Sequence, residues 1–285
     1  MLEYFAPDFL SDYPYWNIGP LADSNNWGPT SDMQAFEQAR CWKYREEHQG
    51  GNIIITAPCS SVLDVAWLFS ASNCLNCWDS AISIYQWEGR GQFRRTWSSP
   101  VGNIYAALFC PLEKKVPFIT LPVIIGLCLV KSFAELGVSL SLKWPNDLML
   151  NRHKIGGILT EAKKEKVFAG IGINLNRIPR IFTGKNRGVL AVQNSENPLD
   201  SVNPASYWQR LVQRVVLWYE LLVANKDLQS IAAQVERVME FRGEQVRISS
   251  GGELFTARIL GVDNCLGLRI EKKGREEVLY NASLI

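Results

Sequence analysis

"KWPNDLMLNRHKIGGIL", residues 143–159, sets two strand-like runs on either side of a Pro-Asn-Asp turn. Pro145 fixes the backbone of the turn, and Asn146 and Asp147 are residue types that reverse a chain readily. Lys154 follows across a short hairpin from Asp147, so the two side chains can meet at one ligand. A plain turn whose Asn and Asp satisfy their own backbone is the alternative interpretation of the same letters.

The segments around this hairpin alternate between strand-like and helix-like patterns. Strands are predicted at NIIIT, SAISIYQ, NIYAALF, SLSLKW, LML, KIGGILTEA and VFAGIGINL. Helices are predicted at SSVLDVAWLF, capped by Ser60 or Ser61, at 122–136 before Gly137, at ASYWQRLVQRVVLWYELLVA and near 228–241. Strands outnumber helices, which predicts an α/β (α+β) fold with a mixed central sheet and helices packed on it.

Changes in composition divide the chain into three parts. Residues 1–50 are rich in aromatic, Asn, Gly and Pro residues, with one weak helix after Ser31-Asp32, and are predicted to be an arm packed on the main domain. Residues 51–241 carry the alternating elements and 242–285 read as short strands between tight turns, a small β-barrel or sheet. A long loop with one short element inside is expected over 177–204.

Composition excludes several classes of protein. Among 285 residues, 47% are hydrophobic and 20% charged, with a net charge of only +2, which disfavours an extended nucleic-acid surface. The apolar run 116–130 is shorter than the ~20 residues of a membrane span and contains Pro122, so we expect a buried helix and no membrane contact. Seven cysteines and no signal-like N-terminus predict free thiols in the cytoplasm, and the Cys74–Cys77 spacing lacks the second pair that a zinc site requires.

A second segment, "GRGQFRRTWSSPVGN" at 89–103, combines glycines with three arginines. Gly89 and Gly91 allow backbone N–H groups to approach an anion, and arginines suit carboxylate and phosphate oxygens. The functional interpretation is an anion cradle. For this string alone, a solvated basic hairpin tip is the better interpretation.

A third segment, "GIGINL" at 170–175, places small residues on a buried strand and Asn174 at its end. Small side chains leave room for a ligand, although close packing of a helix on a glycine-rich strand explains them about equally well. The segment gains meaning only together with the other two.

Taken in this order, the three segments resemble the biotin protein ligase family, over a region from about Ser61 to the C-terminus. The residues that carry the resemblance are Gln86, GRG at 89–91, Arg94, Arg95, Trp97, SP at 99–100, GN at 102–103, KWPND at 143–147, KIGGIL from Lys154, and GIGIN at 170–174. The resemblance implies the catalytic fold shared with class II aminoacyl-tRNA synthetases and a small C-terminal SH3-like β-barrel. It also implies a biotin–protein ligase that makes biotinyl-5'-AMP from biotin and MgATP and transfers biotin to a lysine of a biotin carboxyl carrier protein.

The resemblance also implies roles for individual residues. Lys154 and Arg90 are expected at the biotin carboxylate and phosphate, and Asp147 near the metal and the incoming lysine, with no direct metal ligand assigned. The remaining residues expected to bind substrate are Ser61, Gln86, Gly89, Gly91, Arg94, Arg95, Trp97, Lys143, Asn146, Gly156, Gly157, Gly172 and Asn174. Loop closure over the adenylate is expected at 89–97 and 180–200.

The sequence departs from the common pattern of that family at three places. Gln92, followed by Phe93, stands where many members carry a further arginine after Gly-Arg-Gly. The early helix offers Ser61 and then Val62, where a biotin-contacting triplet is usual. Residues 1–50 do not fit a winged helix-turn-helix, so no DNA binding is expected.

Two alternatives to a biotin ligase stay open. A lipoate or octanoate protein ligase shares the fold and the acyl-adenylate chemistry, and a non-catalytic module could bind biotin or a carrier domain. A monomer or a homodimer fits the sequence equally well.

Overall fold

A computed structural model gives the fold of the chain. It describes residues 27–29, 41–44, 51–113, 116–179, 191–192, 202–225 and 227–285. The predicted helix after Ser31-Asp32, the short element within 177–204 and the second closing loop at 180–200 fall wholly or largely outside these residues.

A nine-stranded sheet forms the centre of the fold, in the order β1-β2-β3-β4-β5-β9-β8-β7-β6. Its strands are β1 (Trp27–Pro29), β2 (Cys41–Tyr44), β3 (Ile53–Thr56), β4 (Ser80–Ser83), β5 (Ile104–Cys110), β6 (Ser141–Lys143), β7 (Asp147–Leu150), β8 (His153–Lys163) and β9 (Lys166–Ile173). All neighbours pair antiparallel except β3 and β4, which are parallel, so the predicted mixed sheet is confirmed. β1 and β2, which lie within the expected arm, extend the sheet beyond β3.

Helices cover both faces of this sheet. Side chains alternate between the two faces along each strand, so both faces carry apolar residues that helices bury. Ile54, Ala81 and Tyr105 pack on one face with α1 (Val62–Ala71). Residues of the opposite phase, such as Ile53 and Ile55, pack on the other face. The helices on that second face are α2 (Leu121–Glu135), α3 (Pro204–Asn225) and α4 (Leu228–Val238).

Helix α2 is the apolar helix predicted over 122–136, and its placement explains its composition. It has Pro122 in its first turn, and Gly137, at φ +82°, lies just beyond its end. Phe118–Glu135 is the one helical stretch of the described chain long and apolar enough to cross a membrane, and 72% of it is buried inside the protein. This burial confirms the prediction of a core helix.

Two predicted boundaries are corrected. Helix α4 ends at Val238 and not at 241, because Met239 turns to an extended backbone and pairs with Leu142 as an isolated parallel bridge. The strand expected over 80–86 ends at Ser83, beyond which Gln86 makes only an isolated bridge to Cys59. Ser61, one of the two residues predicted to cap α1, does occupy the N-cap position, although its side chain makes no capping hydrogen bond.

A five-stranded antiparallel sheet follows at the C-terminus, in the order β13-β12-β11-β10-β14. Its strands are β10 (Gln245–Ser250), β11 (Glu253–Val262), β12 (Leu268–Lys272), β13 (Arg275–Leu279) and β14 (Ser283–Leu284). Trp144, in the turn between β6 and β7, is 3% exposed and donates its indole N–H to the Leu266 carbonyl at 2.9 Å. The turn that the sequence singles out is therefore fastened to the C-terminal sheet.

Candidate active site

A cavity of about 680 Å³ opens on the α1 face of the central sheet. Its wall brings together all three segments that the sequence singled out: the loop at 89–97, the hairpin from Lys143 to Leu159, and the strand around Gly172. Of the described residues in the wall, Arg90, Arg95, Lys143 and Lys154 are basic and Asp147 is acidic. The excess of cations suits an anionic ligand.

Glycines in the floor of the cavity allow the Trp97 ring to lie directly on the sheet. Gly172 lies between Gly157 on β8 and Tyr105 on β5 in register. The Trp97 ring covers it so closely that a Cβ on Gly172 would lie 2.5 Å from Trp97 Cε2. The same atom on Gly157 would lie 3.2 Å from the Trp97 ring, so Gly172 has no room for a side chain, whereas Gly157 has room for a methyl group only if the ring shifts slightly.

Trp97 also carries an unused donor. Its Nε1 is buried, and among the described residues it has no hydrogen-bond partner. A buried N–H group of this kind is costly unless something accepts from it. The group lies on the side of the ring that faces the sheet, where a Cβ on Gly172 would be 2.7 Å from it.

Asp147 lies between two lysines at one side of the cavity. Its Oδ1 is 2.5 Å from Lys154 Nζ and its Oδ2 is 3.7 Å from Lys143 Nζ. The backbone explains the contact: Lys143 pairs with Asp147 across the β6–β7 hairpin, and β8 returns beside β7 to bring Lys154 into reach. The predicted proximity of Asp147 and Lys154 is confirmed.

Asn146 is fixed by the same hairpin. Its side-chain amide donates to the Ile158 carbonyl at 2.7 Å, and the Ile158 amide donates back to the Asn146 carbonyl at 2.9 Å. The turn is held against β8, and the Trp144–Pro145 peptide bond within it is cis.

The 89–97 loop is an ordered hairpin over the cavity. The Trp97 amide N–H donates to the Gly89 carbonyl at 2.8 Å, and the Gly91 amide N–H donates to the Arg95 carbonyl at 2.7 Å. Phe93 and Arg94 form the tip with positive φ values of 56° and 58°. The predicted role of the Gly91 N–H as an anion donor is thus not seen in this conformation, because that group closes the loop.

Gln86 has a structural task beside the cavity. It is 7% exposed, accepts from the Val62 amide at 2.8 Å and donates to Ser99 Oγ at 3.0 Å. It thereby satisfies a free N–H at the start of α1 in place of the predicted serine cap. The bond fixes the first turn of α1, and Ser61, against the cavity.

Tyr105 is a wall residue that sequence reasoning missed. Its hydroxyl donates to the Pro100 carbonyl at 2.7 Å, and burial raises the pKa of that hydroxyl well above its usual value. Nothing in the sequence marks it as a site residue, because its position opposite Gly172 depends on the pairing of β5 with β9. Ser283 and Leu284 of β14 also reach the wall, and nothing in their sequence indicated it.

Most residues predicted to bind substrate lie in this wall: Ser61, Gln86, Arg90, Gly91, Arg95, Trp97, Lys143, Asn146, Asp147, Lys154, Gly157, Gly172 and Asn174. Three do not. Gly89 lies beneath the loop, where a Cβ would meet the Trp97 carbonyl at 2.5 Å, and Arg94 is at the exposed tip. Gly156 has the opposite phase on β8, where a Cβ would meet Leu148 at 3.1 Å.

With this geometry in place, comparison with known proteins points to a family. Residues 79–176 match the model of the biotin/lipoate A/B protein ligase family. The chain is similar to this family over that stretch, which is about a third of its length. The loop, the hairpin and the glycine strand all lie within these residues, so the resemblance read from the sequence is confirmed.

Curated relatives extend the similarity to both sides of this stretch. The bifunctional ligase/repressor BirA of Bacillus subtilis is 32% identical over 213 residues, covering 70% of this chain and 63% of that protein. BirA of Escherichia coli is 28% identical over 206 residues, covering 69% and 62%. The chain thus spans less than two thirds of the length of either relative.

A solved structure supports the fold of this stretch and of the region after it. The biotin protein ligase from Aquifex aeolicus in complex with biotin and ATP superposes with a TM-score of 0.70 and 21% identity. The match covers 82% of this chain and 98% of that one. At this identity the likeness concerns the fold, and it confirms a mixed α/β catalytic fold followed by a C-terminal β domain.

Proposed function

We propose that this protein is a biotin–protein ligase, which activates biotin with MgATP as biotinyl-5'-AMP and transfers biotin to a lysine of a biotin carboxyl carrier protein. One observation carries the proposal. A single cavity unites a fixed Lys143–Asp147–Lys154 cluster with an arginine loop and a glycine floor. Its volume of about 680 Å³ is in the range of small-molecule sites.

The first step joins two anions, and the cavity supplies the charges that such a step needs. An oxygen of the biotin carboxylate attacks the α-phosphorus of ATP, a new P–O bond forms, and the bond to the pyrophosphate oxygen breaks. Lys154 and Arg95 offset the negative charge that gathers on the α-phosphate and on the departing pyrophosphate. Lys143 adds a further positive charge beside Asp147.

Magnesium enters this proposal through the nucleotide. Mg²⁺ is commonly bound by one or two carboxylates together with substrate phosphates, and Asp147 is the one carboxylate among the described wall residues. Asp147 would hold the ion together with ATP, and the ion would supply charge neutralisation at the phosphates. A dedicated protein cage is not required for this, and the described residues offer no cluster of three acidic, His or Cys ligands.

The second step needs a neutral amine. The acceptor lysine attacks the acyl carbon of the adenylate, the C–N bond forms, and the bond to the AMP oxygen breaks. Asp147 lies between Lys143 and Lys154. When Lys154 turns to the phosphate, the Asp147 carboxylate is placed to hold the incoming ammonium group and to take up its proton. The loop and Trp97 keep water from the mixed anhydride in the meantime.

Three finer assignments belong to the same proposal. The C-terminal sheet is taken as an SH3-like module, supported by its five short antiparallel strands. The carrier protein is taken as a macromolecular substrate that reaches the cavity from solution in the cytoplasm. The protein acts as a monomer or a homodimer.

One assay tests the proposal and separates it from its rivals. Purified protein is incubated with ATP, Mg²⁺, an apo carrier domain and either biotin, lipoate or octanoate, and pyrophosphate release and carrier labelling are measured. Biotin-dependent release with labelling of one carrier lysine is expected. Pyrophosphate release with lipoate or octanoate but not with biotin would identify a lipoate-type ligase. Binding of biotin without pyrophosphate release from any of the three acids would identify a non-catalytic module.

A further inference from the structure

Arg90 borders the cavity, yet its charge is already matched by two carboxylates. One guanidinium nitrogen lies 2.8 Å from Asp64 Oδ1 on α1, and another lies 3.1 Å from Glu161 Oε1 on β8. The two acids belong to different elements, Asp64 to α1 and Glu161 to β8. Arg90 therefore ties the loop to a helix and to a strand at once.

Both carboxylates stand outside the main cavity. Neither Asp64 nor Glu161 belongs to its wall, whereas Glu161 borders a second, smaller hollow that the same loop also lines. The guanidinium head of Arg90 is thus engaged away from the site that a ligand would fill. Arg90 and the neighbouring Gly91 both still line the cavity.

Glu161 is itself held in place by the core. Its Oε2 accepts from the Trp67 indole N–H at 2.8 Å. The Trp67 ring packs edge-on against Phe168, with centroids 4.7 Å apart, and Phe168 is fully buried. Glu161 is therefore held by two partners, Trp67 of the core and Arg90 of the loop.

Arg95 contrasts with Arg90. It lies in the cavity wall, and its guanidinium carbon is 5.8 Å from the centroid of the Phe93 ring. Its guanidinium has no carboxylate partner within the described part of the chain. Of the two arginines, Arg95 is the one whose charge is available to a phosphate.

We infer that Glu161 and Asp64 are positioning residues that anchor the 89–97 loop over the cavity through Arg90, and that Arg95 supplies the charge of the loop to the ligand. The anchoring follows from the contacts of the unliganded protein. Only the consequence for the ligand rests on the proposed function. The loop motif at 89–103 contains no acidic residue, so no sequence motif points to Asp64 or Glu161 as a partner of Arg90.

Hydrogen exchange of the unliganded protein tests the anchor. The variants Glu161→Gln and Asp64→Asn and their double variant are compared with wild type, and deuterium uptake is followed in peptides spanning 86–99. Exchange of the loop amides is expected to rise about two- to fivefold in each single variant and further in the double variant, as suits ion pairs that are partly exposed. Glu165→Gln, at the exposed end of the same hairpin, is the matched control and should leave the loop unchanged.

Two further readings keep the result specific to the anchor. Peptides from β10 and β11 should exchange as in wild type, which excludes general unfolding. Added salt should speed loop exchange in the wild type and have little effect in the double variant, because the ion pairs are then already absent. Unchanged loop exchange in the double variant would overturn the inference.

A second arm addresses the ligand. With biotin and MgATP, the double variant is expected to release biotinyl-AMP about two- to fivefold faster than wild type, and Glu165→Gln to release it at the wild-type rate. If the adenylate forms in none of the proteins while loop exchange changes as expected, the anchor stands and the proposed function fails. Adenylate that forms and escapes at the wild-type rate from the double variant would refute the functional part of the inference.

Discussion

Lys154 Nζ lies 2.5 Å from Asp147 Oδ1, and the carboxylate of Asp147 reaches a second lysine, Lys143, at 3.7 Å through its other oxygen. The side chains of all three are partly shielded, with Lys143 14% and Asp147 16% exposed. Two cations sharing one carboxylate leave a net positive charge at the cavity. An incoming phosphate or carboxylate can take the place of Asp147 at either lysine without the burial of an unpaired charge.

The first prediction concerns Lys154. Lys154→Ala should slow adenylate formation by roughly 10² or more, because it removes one electrostatic stabiliser of the reacting phosphate. Single-turnover formation of biotinyl-AMP from biotin and MgATP measures the effect. Lys164→Ala, in the exposed turn between β8 and β9, is the control, and a near-unchanged rate for Lys154→Ala would contradict the role.

Lys143 should matter less, and its effect should not add to that of Lys154. Lys143 lies farther from Asp147 than Lys154 does and is the weaker partner in the cluster. Lys143→Ala should therefore slow adenylate formation by only about tenfold. Because both lysines share one carboxylate, the double variant should differ from the product of the two single losses. Independent, multiplicative losses measured in the same single-turnover assay would show that the cluster does not act as a unit.

The glycine floor gives a graded prediction. Gly172→Ala places a Cβ 2.5 Å from the Trp97 ring, and Gly157→Ala places one at 3.2 Å. Overpacking of this kind costs about 1–3 kcal/mol, so biotin affinity should fall strongly in Gly172→Ala and less in Gly157→Ala. Calorimetric titration with biotin measures both, and a larger loss in Gly157→Ala would contradict the arrangement of the ring.

Trp144 joins the site to the C-terminal sheet through a single buried hydrogen bond to Leu266. Trp144→Phe leaves that carbonyl without its donor and should lower the free energy of unfolding by about 1–3 kcal/mol. Chemical denaturation measures the change. Trp218→Phe is the matched control, because the Trp218 indole N–H donates to Glu135, which is exposed. This substitution should lower the free energy of unfolding by less than about 1 kcal/mol, the contribution of a solvent-exposed pair.

Gln92 lies in the cavity wall, at the position where the sequence departs from the biotin protein ligase pattern that it otherwise resembles. Gln92→Arg adds a cation beside the ligand and should slow the escape of biotinyl-AMP, because the added charge holds the phosphate. Release from the pre-formed complex measures the effect, with Gln245→Arg on β10 as a control for added charge elsewhere. Unchanged or faster release from Gln92→Arg would count against this reading.

The main elements of the fold could be predicted because their patterns are strong and local. The apolar run of α2 and the alternation along β8 and β9 define those elements without any tertiary information. The ends of α4 and β4 could not be predicted, since tertiary partners decide them: Met239 pairs with Leu142, and Gln86 bridges to Cys59.

The site was predictable where residues meet within one hairpin and not where distant segments meet. Lys154 and Asp147 share a hairpin, so their proximity follows from the sequence. Gly156 and Gly157 look alike as letters, and only the phase of β8 in the sheet decides which of them faces the cavity. The contact of Arg90 with Asp64 and Glu161 joins three segments whose meeting requires the complete fold.

The central claim is that the loop, the hairpin and the glycine strand form one adenylate-making site. Native mass spectrometry of the purified protein, incubated with biotin and MgATP in the absence of any carrier, tests it most directly. The account predicts a protein-bound species with the mass of biotinyl-AMP, absent when either biotin or ATP is omitted and strongly reduced in Lys154→Ala. Intact biotin and ATP bound side by side, with no adenylate after long incubation of the wild type, would contradict it.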